Sequence, residues 1–408
     1  EGIAFGSDPR AFLAIPEFEP GIDESLLPFY LGLQYVPAPH SLWKGVEKLP
    51  PAHLLTFDQH GVKSQRYWHL PTDVPVLIDK EEASERIRES LRNSVALRMR
   101  SDSQVGLFLS GGIDSASILA AAVQAGNPPK CTFTAGFADL VLDESSAGKK
   151  IALHFGVDHE IVCIEPPALE ELLPELVWHL GEPMGDFSAI PTFLLSKHAR
   201  NRVKVVLTGD GGDECFGGYQ RYLANVLMER LQRIVPDRLS APISSLFAIP
   251  ENVSSGKVWQ RMRRFLTGIM KPFGVRYFDW MWVFNPEQVA ALLLSTCPTR
   301  VGGIQPLERW VKELTLATRL LSPIQQMSSW DYSTYLPEDL LVKMDRMSMA
   351  HGLEARTPFL DHSLVEWARG IPDSWHVRGF QKKRLLRKAF SRDLPEWVLR
   401  APKRGFGA

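Results

Sequence analysis

From Lys80 to Arg98 the apolar residues Ile87, Leu91 and Val95 recur every fourth position in a strongly charged stretch, which predicts an amphipathic helix. The period then shortens. Residues 105–109 (Val-Gly-Leu-Phe-Leu) lack any polar side chain and predict a buried strand, and 115–125 are small residues suited to a helix packed tightly on a sheet. The pattern continues with a strand over 131–135, a helix over 143–154 and a strand over 159–164. A helix containing Pro174 over 168–180 and a strand over 204–207 complete it. Such alternation predicts an α/β fold, a parallel sheet flanked by helices on both faces. Ligands in such sheets sit at the carboxyl ends of the strands, where Ser110, Ala135 and Thr208 are expected. After Gly218 the pattern turns helical and rich in Trp and Met, predicting a helical C-terminal subregion beside the sheet.

Residues 1–70 read as the tail of a mainly β domain. Residues 53–57 and 62–68 predict a hairpin around the four-residue turn Asp58-Gln59-His60-Gly61. Upstream, 25–32 form a short helical pattern weakened by Pro28 and closed by Pro37-Ala38-Pro39. Leu70-Pro71-Thr72-Asp73-Val74-Pro75 reads as a linker, giving an N-terminal part over 1–72 and a second domain over 78–408. Ile3-Ala4-Phe5 read as the middle of a strand, and the chain stops in the glycine-rich Lys403-Arg404-Gly405-Phe406-Gly407-Ala408. Both ends are therefore expected to be cut from a longer protein.

Composition narrows the class without naming a chemistry. The 408 residues are 45% hydrophobic and 23% charged, ordinary for a globular protein. Lys+Arg 46 against Asp+Glu 47 gives a net charge of −1, with no basic footprint for nucleic acid. Cys131, Cys163, Cys215 and Cys297 are too scattered for a zinc or disulfide pattern and read as buried thiols in a reducing compartment. No apolar run reaches membrane-spanning length, so a cytoplasmic location without membrane partner is expected.

The chemistry is concentrated in two turns. Ser110-Gly111-Gly112-Ile113-Asp114-Ser115 join a strand to a helix, bringing hydroxyls, bare amides and the positive end of the helix dipole together. That suits phosphate, except that Asp114 would repel it unless Mg²⁺ lies between them. The alternative is an ordinary serine-capped turn. Thr208-Gly209-Asp210-Gly211-Gly212-Asp213-Glu214 pack three acids and three glycines into seven residues, and the segment is expected to be a loop. It reads either as a solvated acidic or calcium turn, or as the other wall of an ATP–Mg²⁺ site. Neither turn has Walker or dinucleotide spacing. Gln381-Lys382-Lys383-Arg384 and Lys403-Arg404 could supply phosphate cations, though 382–388 also read as a surface helix face. Met344, Met347 and Met349 read as core. Glu354, Arg356 and Asp361 fit a buried ion-pair network or substrate recognition equally well.

With these residues in view, the chain resembles the glutamine-dependent asparagine synthetases. The motifs are Leu109 to Ser115, Leu207 to Glu214 with Phe216-Gly217-Gly218-Tyr219, Gly352 to Asp361, and Pro402 to Gly407. Ala4-Phe5-Gly6-Ser7 and Tyr35-Val36-Pro37-Ala38-Pro39 resemble the end of that family's glutaminase domain. The resemblance implies an adenine nucleotide α-hydrolase-like synthetase domain preceded by a β-rich glutaminase remnant. It also implies a reaction in which ATP activates the aspartate side-chain carboxylate, pyrophosphate leaves, and ammonia displaces AMP. Phe108, Ala135, Thr208 and Gly209 would then contact adenosine, with Leu109 also among the ATP-binding residues. Ser110, Gly111, Gly112 and Ser115 would hold pyrophosphate, and Asp114 and Asp213 would hold Mg²⁺. Lys403 and Lys383 would neutralise phosphate, and Asp210 would assist the acyl-adenylate step.

Two departures matter. Asp210 stands where many relatives carry Glu, one methylene longer. Family members also begin with a catalytic cysteine, whereas this chain opens on Glu1. Glutamine is thus the expected nitrogen donor of a parent protein, and this chain is expected to take free ammonia without glutaminase activity. Rival readings are amidation of another carboxylate, such as a sugar acid or β-lactam precursor, a tRNA-thiolating or GMP-forming relative, and an inactive ATP-binding scaffold. Oligomeric state stays open, a homodimer included.

Overall fold

The computed structural model describes residues 2–72, 78–137, 143–164, 169–234, 265–296 and 304–401. Lys403 with its 402–407 motif, Cys297, Ala168 and residues 73–75 of the expected linker lie outside the described residues. The N-terminal part holds helix α1 (Leu27–Leu33) and the antiparallel strands β1 (His53–Asp58) and β2 (Gly61–Arg66). Asp58 pairs with Gly61, which leaves Gln59-His60 as the tip. Residues 3–5 form no strand, because no described strand lies beside them to supply hydrogen bonds.

Helix α2 (Lys80–Arg98) follows, capped by the Asp79 carboxylate on the Glu82 amide. Then come β3 (Val105–Phe108), α3 (Ile113–Gln124), β4 (Thr132–Phe137), α4 (Ser145–Phe155) and β5 (His159–Ile164). Helices α5 (Leu169–Leu180) and α6 (Ala189–Ala199) precede β6 (Val205–Leu207). The last strand is β7 (Glu354–Arg356). All five pair in parallel in the order β5-β4-β3-β6-β7. The chain winds outward from β3 to β5, then returns to place β6 on the other side of β3. The direction of winding reverses between β3 and β6, where a crevice must open.

Side-chain alternation explains why both faces are covered. Val105, Leu107, Val205 and Leu207 face a core shared with α2, α3 and α4, through Ile87, Leu91, Ile118 and Ile151. Phe133 and Val206 face the opposite side, against Leu195 and Ala199 of α6 and Leu353. A third cluster of Phe29, Tyr222, Tyr277, Trp282 and Trp330 packs the N-terminal part onto the helical region after β6. The expected linker is thus a covalent boundary across which packing continues, with Trp68, Leu70 and Ile78 lying against the first core. Among the described residues, no helix is long and apolar enough to cross a membrane.

Several expectations shift. Helix α3 begins at Ile113, earlier than the pattern suggested, so Asp114 and Ser115 occupy its first turn. Strand β4 extends to Phe137, leaving Ala135 within it. Helix α6 and strand β7 were not expected. Gly212–Phe216 form a short helix, α7, rather than a loop, with Asp213 and Glu214 at its dipole-favoured N-terminal turn. Of the thiols, Cys131 and Cys215 are buried but Cys163 is exposed, because it lies on β5 at the sheet edge.

Candidate active site

The turn after β3 is organised around two hydroxyls. Ser110 Oγ and Ser115 Oγ lie 3.0 Å apart, and the Gly112 amide donates to Ser110 Oγ at 3.3 Å. Ser115 Oγ also reaches the carbonyls of Ser110 and Gly112, at 3.2 and 3.4 Å. Gly111 serves packing instead: its Cβ would stand 2.6 Å from Ala147 Cβ on α4, and it does not line the cavity.

The turn after β6 lies directly against this one. A Cβ at Gly209 would stand 3.3 Å from Asp114 Cβ and from the Ser115 amide, and one at Gly212 would stand 2.8 Å from Asp114 Oδ1. Glycines at these positions are what allow the two acidic turns to touch. Asp210 is fixed by the Thr208 hydroxyl, which donates to Asp210 Oδ2 at 2.7 Å. The Thr208 amide is itself anchored on the Arg356 carbonyl of β7 at 2.9 Å.

Lys383 closes the arrangement. Its ammonium bridges Asp114 Oδ2 and Asp213 Oδ1, the latter at 2.5 Å, and the side chain is 4% exposed. Burial alone would depress that ammonium, but Asp114 and then Asp213 outweigh it and hold its pKa above the usual lysine value. The backbone of Lys383 is left-handed, φ 51°, immediately before the helix Arg384–Ala389. A Cβ at Gly218 would overlap both Asp213 Oδ1 and Lys383 Cε.

These groups line one cavity of about 390 Å³. Phe108, Leu109, Ser110, Gly112, Asp114, Ser115, Ala135, Thr208, Gly209, Asp210, Asp213 and Lys383 all face it. Glu354, Arg356 and Asp361 do not. Arg356 instead holds the carbonyls of Arg98 and Arg100 and pairs with Glu354, while Asp361 pairs with Arg98 at 3.1 Å, so this motif braces β7 against α2. Met347 is core as expected, but Met344 lines the cavity and Met349 is exposed.

Sequence reasoning missed part of the wall. Arg387 lines it, its guanidinium depressed by burial and supported by the nearby Asp114. Glu214 lines it too, fully buried, its carboxyl pushed up to about 7 by burial and then by Asp213 and Asp331. Tyr219 donates to Glu214 Oε1 at 2.5 Å, and Arg221 stacks on the Tyr219 ring at 3.6 Å while pairing with buried Asp331. Asp186, Ser188, Tyr335 and Lys343 line it as well. Their scatter from 186 to 343 left no local signal.

A family profile described as asparagine synthase matches residues 86–408, and one described as glutamine amidotransferase domain matches residues 1–68. The chain is 32% identical over 405 residues to an asparagine synthetase [glutamine-hydrolyzing] 1 from Bacillus subtilis, covering 99% of this chain and 62% of that protein. It is 33% identical over 416 residues to a putative asparagine synthetase [glutamine-hydrolyzing] from Mycobacterium tuberculosis, covering 99% and 61%. It is also 26% identical over 413 residues to the amidase chyE of Penicillium rubens, covering 90% and 59%. The chain therefore spans about three fifths of the length of these relatives.

Proposed function

The chain belongs to the asparagine synthase family, and from that premise we propose that it joins ATP to the side-chain carboxylate of aspartate and passes the product to ammonia. The observation carrying this reading is the meeting of the two strand-end turns at Lys383. In the first step a carboxylate oxygen bonds to the α-phosphorus and the bond to pyrophosphate breaks. In the second, ammonia bonds to the acyl carbon, AMP leaves with the electrons of the C–O bond, and the nitrogen loses a proton to give asparagine. Adenylation is needed because a carboxylate offers only an oxide as leaving group.

Ser110, Ser115 and the Gly112 amide, which cluster through hydrogen bonds of their own, would receive the departing pyrophosphate oxygens, as preorganised donors do for developing charge. Lys383, kept cationic by its two carboxylates, adds a fixed positive charge. Lys403 is proposed as a second cation from its sequence motif alone. Phe108, Leu109, Ala135, Thr208 and Gly209 form the adenosine wall. Asp210, oriented by Thr208, is assigned to the acyl-adenylate step.

Asp114 and Asp213 converge on one cation and offer hard oxygen donors, so the pair suits Mg²⁺, an ion commonly held by one or two carboxylates plus substrate phosphates. Bound there it would offset charge on the phosphoryl oxygens.

Residues 1–72 are proposed as part of a glutaminase domain and 78–408 as the synthetase domain, with glutamine as nitrogen source of the whole protein and the cytoplasm as its compartment. A second reading, amidation of a different carboxylate, draws on Asp210, whose shorter side chain shifts the reacting position. The test is incubation with Mg²⁺, ATP, ammonium and aspartate. Asparagine and AMP should appear one to one; ADP in place of AMP would rule out adenylation, and no dependence on aspartate would favour the second reading.

A further inference from the structure

The segment 382–387 contributes Lys382, Lys383 and Arg387 to the cavity wall. Leu385, Leu386 and Ala389 seat the short helix Arg384–Ala389 in the first core, and Arg387 stands between them on the cavity side. Its guanidinium is clamped at two points. Nε donates to the Lys382 carbonyl at 3.0 Å and Nη2 to the Ala401 carbonyl at 3.3 Å. Contacts on different nitrogens fix the plane of the group as well as its position.

Two other cations in the wall are already matched by carboxylates. Lys383 bridges Asp114 and Asp213, and Lys343 pairs with Asp186 at 2.6 Å. Arg387 differs, since both of its acceptors are neutral carbonyls. Asp114 is the carboxylate whose charge supports it, and that carboxylate is already bridged by Lys383. A guanidinium has five N–H groups and the carbonyls take two, which leaves three uncommitted among the described residues. The result is a half-buried, preoriented cation within reach of the charge on Asp114, in the turn of Ser110 and Ser115. An anion presenting several oxygens is the ligand that such a fork matches.

Resting on the adenylation reading above, we propose that Arg387 is a catalytic residue of its first step, holding the pyrophosphate as that group leaves. The acceptor's carboxylate oxygen bonds to the α-phosphorus while the bond from that phosphorus to the bridging oxygen breaks. The bridging oxygen keeps the electron pair, so negative charge grows on the pyrophosphate. Arg387 donates N–H bonds to it and exchanges no proton, because a guanidinium stays protonated throughout. Donors fixed before the reaction stabilise that growing charge without having to reorganise. The nucleoside and its α-phosphate lie outside this role, so AMP is held without Arg387.

Calorimetry with pyrophosphate and with AMP, each in the presence of Mg²⁺, compares wild type with Arg387→Met and Arg387→Lys. Arg387→Met should bind pyrophosphate at least about tenfold more weakly through the loss of charge-assisted hydrogen bonds, while AMP affinity stays within about twofold. Pyrophosphate release at saturating ATP, aspartate and ammonium should slow by about 100-fold, as on removal of one donor from an oxyanion site. Arg387→Lys keeps the charge without the fork and should recover only part of both losses. Lys403→Met provides a second background, since Arg387 also holds Ala401, two residues before that lysine. The pyrophosphate loss should recur there. Unchanged pyrophosphate affinity, an equal fall for AMP, or a loss that vanishes in the Lys403→Met background would overturn the assignment. If wild type makes ADP in place of AMP while Arg387→Met still loses pyrophosphate affinity, the adenylation reading falls and the Arg387 contact stands.

Discussion

Lys383 carries the highest electrostatic stakes of any side chain in the site. Its ammonium offsets two carboxylates that would otherwise face each other with little water. Replacing it with Met should therefore destabilise the fold by about 3–5 kcal/mol, the usual cost of breaking a buried ion pair from one side. Mg²⁺ should restore part of that loss in the variant and do less for wild type, as read by denaturant unfolding with and without the ion. Glu214 gives a second residue-level prediction. Its carboxyl titrates near 7 when folded, against an ordinary value of 4.5. Below both values the group is neutral in either state, so wild type and Glu214→Gln should differ little in stability. As pH rises through this window the unfolded chain gives up its proton first, and folding of wild type is penalised. By pH 8 the variant should be the more stable by on the order of 3 kcal/mol, a gap that urea titrations at pH 4.5 and pH 8 would measure.

At the scale of elements, the site depends on how closely two turns and one helix start can approach. Gly218→Ala places a Cβ into Asp213 and Lys383 at once. It should cost several kcal/mol and abolish pyrophosphate release, with Gly21→Ala, whose Cβ would meet only Lys44 Cβ at an ordinary 3.8 Å, as the control. Both turns were legible in the sequence because strand-turn-helix punctuation and crowded acids are local signals. Lys383 was only half legible: its neighbours Lys382 and Arg384 give the look of a surface helix, and only the left-handed backbone at Lys383 turns it inward. Helix α6 escaped notice because it is apolar or small on nearly every side, with Pro191, Phe193, Leu195 and Ala199 all buried, so no stripe stands out. Strand β7 escaped because Glu354-Ala355-Arg356 is three residues long and polar, as an edge strand paired, among the described residues, only to β6 can be. The Glu214–Tyr219–Arg221–Asp331 network and the Asp186–Lys343 pair join residues far apart in the chain, which no spacing rule reports.

Across the whole molecule, the N-terminal part does more than precede the sheet. Gln34 exchanges backbone and side-chain bonds with Gly185, Trp43 Nε1 donates to the Gly181 carbonyl at 2.9 Å, and the Leu42 amide donates to Glu182 at 2.6 Å. The segment that presents Asp186 to the cavity is thus held by residues of the region matching a glutamine amidotransferase domain. The sheet supplies the other constraint, since its reversal of winding sets the ends of β3 and β6 side by side. From this follows the central claim, that Asp114 and Asp213 grip one magnesium-bound triphosphate together. Calorimetric titration of ATP with and without Mg²⁺ into wild type, Asp114→Asn, Asp213→Asn and the double variant tests it directly. Each single substitution should weaken Mg²⁺-dependent binding at least about tenfold, and the pair should lose little more than either alone, because one shared ion is already lost. Affinity that ignores both substitutions, or that does not depend on Mg²⁺ in wild type, would contradict the account.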